Sequence, residues 1–85
     1  MPIRRNPKLK LLKEFAEQVG ARIKTEYTQE IGTMSLQLID ARTREPQGGI
    51  EYDVLDMVET IDAYYGSDPN HAEARADFFR ALEAL

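Results

Sequence analysis

Residues 21–41 read ARIKTEYTQEIGTMSLQLIDA, and the fold turns on how this stretch alternates. In Ala21–Thr28, Ile23, Thr25 and Tyr27 fall on one side, and Arg22, Lys24 and Glu26 on the other. That is the period-two pattern of a half-exposed strand. Thr33–Ala41 repeats it, with Met34, Leu36 and Leu38 expected inward and Ser35 and Gln37 outward. Gln29-Glu30-Ile31-Gly32 between them has the composition of a turn, so the stretch predicts an antiparallel hairpin.

Outward from the hairpin, the punctuation is clear on both sides. Upstream, Asn6-Pro7 reads as a helix cap followed by proline at the first helical position, and Gly20 as the residue past the helix end. Between them Leu9, Leu12, Phe15, Ala16 and Val19 recur at helical spacing, predicting a helix over Pro7–Val19. Downstream, residues 42–47 read as a polar loop, and Gly48-Gly49-Ile50-Glu51-Tyr52 as a short third strand. Asp53 caps a second helix that runs to Tyr65 and ends at Gly66. Asp68-Pro69 repeats the cap-plus-proline signal and opens a third helix reaching nearly to Leu85. The result is an α+β chain in the order α-β-β-β-α-α, a three-stranded antiparallel meander with helices packed on one face.

At 85 residues and 9.7 kDa the chain is expected to form one domain over residues 1–85, with 1–6 a basic arm. Its composition is that of a globular protein, and no apolar run approaches the ~18 residues of a membrane span. The first residues lack the apolar stretch and cleavage site of a signal peptide. There is no cysteine, which excludes disulfides and thiol chemistry and makes the cytoplasm the expected compartment.

The net charge of −4 conceals a strong gradient. Residues 1–13 sum to +5, residues 14–44 to −1 and residues 45–85 to −8. Such a chain can pair its ends internally, pair with a second copy, or offer one end to a partner. On the first helix Lys10 stands four residues before Glu14, and Lys13 four before Glu17, so that face is zwitterionic. Arg4, Arg5 and Lys8 have no such partner, and they carry the nucleic-acid reading of this chain.

No catalytic constellation stands out. The one histidine, His71, has no cysteine or second histidine with which to ligate zinc, and is expected to be a structural or exposed helix residue. No metal and no cofactor is expected. Gly48-Gly49 lacks the further glycines and the helical lysine of a phosphate cradle. On the second helix Asp53, Asp56, Glu59 and Asp62 recur every third residue, a stripe that spirals and reads either as a solvated face or as a surface for a basic partner. Leu55 falls outside the apolar arc of that helix, between Asp62 and Glu59 on the helical wheel. This suggests either packing beneath the hairpin or an apolar anchor rimmed by acids. On the third helix Arg75 falls inside the apolar arc, between Phe79 and Leu82. A guanidinium there must snorkel, sit at an interface or pair with a carboxylate, Glu59 or Asp62, and removing one partner of a pair buried there costs about 3–5 kcal/mol.

The order helix, three-stranded meander, helix is also that of double-stranded-RNA-binding domains. Those modules need lysines where the helix after the meander begins, because its N-terminus meets phosphate. Asp53-Val54-Leu55-Asp56 would repel it, so topology alone carries no function across. The sequence therefore points to a non-enzymatic protein-interaction module, a small regulator or inhibitor with an acidic C-terminal helical surface. Leu55, Asp56, Glu59, Asp62 and Arg75 are its candidate residues, and the partner is expected to be a protein, basic in charge. Nucleic-acid binding through Arg4, Arg5 and Lys8 is the alternative. A homodimer through the third helix is also expected, because its adjacent Phe78 and Phe79 spread the apolar face widely.

Overall fold

The computed structural model of the chain describes residues 6–85 and contains three helices and one three-stranded antiparallel sheet. The elements are α1 (Pro7–Gln18), β1 (Ala21–Thr28), β2 (Thr33–Asp40), β3 (Pro46–Glu51), α2 (Val54–Tyr65) and α3 (His71–Glu83), with sheet order β1-β2-β3. α1 begins where the sequence marks it: the Asn6 side chain accepts from the Leu9 amide at 3.2 Å, with Pro7 behind it. It ends before Gly20, whose φ of +84° is the left-handed turn that only glycine adopts freely.

β1 and β2 pair in unbroken register from Ala21 opposite Asp40 to Thr28 opposite Thr33. The pleat therefore places Ile23 beside Leu38 and Thr25 beside Leu36 on the face that α1 and α2 cover. Farther along the same face Tyr27 and Met34 pair beyond the reach of the helices and are exposed, as is Ile31 in the turn. Alternation foretold their face, and helix length decided that it is uncovered.

β3 starts two residues earlier than its pattern suggests, at Pro46, and ends at Glu51, before Tyr52. Its register slips between the pairs Leu38–Gln47 and Leu36–Glu51, so it bulges around Gly48 and Gly49. Gly48 has φ +78°, and a Cβ there would lie 3.0 Å from Thr60 Cγ2 and 3.1 Å from Tyr64 Cε2. The glycine thus lets α2 lie close against the edge strand.

α2 and α3 are separate helices, broken at residues 66–70. α3 nevertheless begins at His71 rather than directly after Asp68-Pro69. Asp68 Oδ1 accepts from the Asn70 amide at 2.8 Å, spending the expected cap inside the interhelical turn. α1 lies on β1, α2 lies on β2 and β3, and α3 packs chiefly on α1. Leu12, Phe15, Leu38, Met57, Val58 and Ile61 fill the centre of the core, and Phe78 of α3 reaches Phe15 with ring centroids 5.7 Å apart. Among the described residues no helix is long and apolar enough to cross a membrane.

Candidate functional site

The four acids of the α2 stripe are divided by the fold among different neighbours. Asp53 caps the helix, accepting from the Leu55 amide at 2.7 Å. Asp62 turns toward α3, where its Oδ1 accepts from His71 Nε2 at 2.6 Å and its Oδ2 from Arg75 Nε at 3.1 Å. The His71 ring also stands 5.9 Å from the Phe15 ring, so it is a strut between α2 and the α1–α3 contact. The one carboxylate fixes one imidazole and one guanidinium.

Arg75 does not sit in the core. Its side chain is 45% exposed, and its guanidinium carbon lies 4.8 Å from the centroid of the Phe79 ring. The position on the wheel is apolar, but the long side chain leaves it, laying its charge over an aromatic face at the rim and pairing with Asp62 there. The 3–5 kcal/mol penalty that applies to a buried charge does not apply to it.

Asp56 and Glu59 face the other way. With Glu51 of β3 they line an open concavity between β3 and α2, floored by Gly48, Gly49 and Thr60 and flanked by Tyr64. Thr60 Oγ1 lies 3.4 Å from Glu51 Oε1 and 3.3 Å from the Asp56 carbonyl, so its single proton is shared between them. Among the described residues no lysine, arginine or histidine lines this concavity. An exposed aromatic side chain also lines it: Tyr64 of α2 is 51% exposed.

Leu55 is 52% exposed and so does not pack beneath the hairpin. It lines a second concavity with Tyr52, Val54, Leu82 and Lys8, in which Asp53 sets an acid against the lysine. Of the candidate cations Lys8 lines this concavity, whereas Arg4 and Arg5 lie outside the described residues. The candidate partner-binding residues are not one patch: Asp56 and Glu59 share a flank, Leu55 begins another, and Asp62 and Arg75 occupy each other.

A further carboxylate cluster went unnoticed in the sequence. Asp40, at the end of β2, accepts from the Arg42 and Thr43 amides at 2.9 Å each and from the Tyr65 hydroxyl at 2.8 Å. The Thr43 amide first, and the Tyr65 hydroxyl next, hold its carboxyl below the usual 3.8, while burial first and the carboxylate next push the Tyr65 phenol up to about 12. Asp followed by Thr three residues on, in a polar loop, was the readable half of this signal. The partner from α2, twenty-five residues away, was not.

Among the described residues no group of three or more His, Cys, Asp or Glu side chains is arranged to hold a metal ion. Comparison with known protein families, with curated proteins and with solved structures returned no match.

Proposed function

We propose that the protein is a non-enzymatic interaction module that binds a basic protein surface through the β3–α2 flank, acting in the cytoplasm as a small regulator or inhibitor. The observation that carries this reading is the concavity lined by Glu51, Asp56 and Glu59, with no cation lining it among the described residues and with exposed Tyr64 at its margin. Carboxylates with no cation beside them among the described residues can meet a partner's cations, and an aromatic at the margin supplies apolar contact at little entropic cost. A basic groove that ordinarily holds nucleic acid is one surface such a module would block.

The test is affinity capture with the intact protein and with the Asp56→Lys/Glu59→Lys double variant, at low and at physiological salt. Capture of a basic protein that the double variant loses is the expected result. Identical captured sets from the two proteins would sink the reading. Retention of the wild type on heparin at low salt, abolished by Arg4→Ala/Arg5→Ala, would point to nucleic acid in its place.

A further inference from the structure

Among the described residues, β1 is the one regular open edge of this sheet. The order β1-β2-β3 leaves two edges, and β3 is a poor one: it starts at Pro46, contains Gly48 and Gly49, and bulges. Proline, glycine and a bulge are the devices that keep an edge from pairing. β1 has none of them over its eight residues and is in continuous register with β2 on its inner side. Its solvent face alternates Arg22, Lys24 and Glu26, all exposed. Lysine on an edge usually discourages pairing, but here the opposite charge follows two residues later on the same face.

We infer that β1 pairs antiparallel with β1 of a second copy, about a two-fold axis through Thr25, joining two three-stranded sheets into one. In that register Lys24 of each copy stands opposite Glu26 of the other, Thr25 opposite Thr25, and Ile23 opposite Tyr27. The Lys24–Glu26 contact is favourable and occurs twice by symmetry. The register is singled out by its neighbours. Moving the axis to Glu26 sets glutamate against glutamate, and moving it to Lys24 sets lysine against lysine while pairing Arg22 with Glu26, so of these three registers only the Thr25 axis has no like-charge pair. Tyr27, 58% exposed in the single chain, gains a cross-strand partner on the inner face.

The helix above the edge also carries charges of both signs. Lys10, Lys13, Glu14 and Glu17 line one concavity along α1, and Lys13 and Glu17 also line one with Ala21, Arg22 and Ile23 of β1. A second copy approaching this edge therefore meets a helix face of mixed sign, with lysines and glutamates both within reach. A single strand pair buries less than the roughly 1,200 Å² of a stable interface, so the helix contact is needed to complete it. This places the self-contact on β1 rather than α3, whose Phe78 is buried against Phe15 and whose Phe79 stands edge-on to Phe78 at 5.1 Å under Arg75. It involves the edge opposite the β3–α2 flank, so neither proposal depends on the other.

The experiment is sedimentation velocity of the full chain over a wide concentration range, with circular dichroism as the check on folding. Wild type is expected to give a dimer. Lys24→Glu and Glu26→Lys each place like charges at both contacts and are expected to weaken the dimer on the order of tenfold. Mixing the two variants should restore it as a heterodimer, because one chain then carries only acids at these positions and the other only bases. A wild-type chain that is monomeric at the highest concentration overturns the inference. So does a dimer indifferent to both substitutions, or one that fails to recover on mixing.

Discussion

The two flanks of α2 use the same side-chain chemistry to opposite ends. On the α3 flank Asp62 is 28% exposed and engages both His71 and Arg75. On the β3 flank Asp56 and Glu59 are exposed and face Glu51 across an open concavity. One carboxylate has its negative charge matched inside the fold, and the others leave theirs to solvent or to a partner. A periodic acid stripe therefore does not define a surface. What each acid does depends on which donors the neighbouring elements bring to it.

The contrast is broken most directly by removing the carboxylates one at a time. Asp62→Ala leaves the His71 imidazole, whose side chain is only 13% exposed, without its partner. Stranding a largely buried polar group costs about 1–3 kcal/mol, a large share of what a domain this small possesses. Asp56→Ala and Glu59→Ala should each change stability by less than about 0.5 kcal/mol, as exposed sites do. Urea midpoints at neutral pH would show this. Comparable losses at Asp56 and Asp62 would mean that the β3 flank is structural, removing the support for a binding role.

Arg75 sharpens the contrast at lower energy. It contributes an exposed ion pair and a ring contact, together about 0.5–1 kcal/mol. Arg75→Ala should therefore lower the midpoint modestly. Arg80, 75% exposed and paired with Asp77 within its own helix, should show almost nothing on truncation. A loss near 3 kcal/mol for Arg75→Ala would require a desolvated guanidinium, contrary to its exposure.

These particulars show where the sequence was legible. Element order, the hairpin register and both caps at Asn6 and Asp53 follow from local rules: alternation of period two, helical spacing, and side chains that bond amides two or three residues away. The arrangement of the acids does not follow. The helical wheel gave the direction of Asp62 but not that α3 would present His71 to it, because that depends on where a five-residue turn delivers the next helix. The wheel also put Arg75 in the core, since it treats a residue as a point at its Cα. A guanidinium at the end of a long chain can leave the arc its backbone occupies. The open β3 flank rests on the Gly48 bulge, and a glycine pair announces irregularity without saying which helix will approach.

The smallest effect concerns Asp40 and Tyr65, a second internally matched carboxylate, at the far end of α2. Asp40 has its carboxyl lowered from 3.8, so the folded state takes up that proton less readily than the unfolded chain does. Its contribution to stability is present above pH 3.8 and disappears as pH falls through the lower folded value. Tyr65 runs the other way: its phenol is raised from 10.0 to about 12, so its contribution is complete below pH 10 and is lost as pH climbs toward 12. Tyr65→Phe should abolish the alkaline loss, seen as a stability curve that no longer falls between these values. The same variant should bring the Asp40 carboxyl only part of the way back to 3.8 in an NMR titration. The Thr43 and Arg42 amides still donate to it, and the Thr43 amide is the largest cause of the shift. Full return to 3.8 would mean that the loop amides contribute nothing and that Asp40, like Asp62, is matched only by groups from another element.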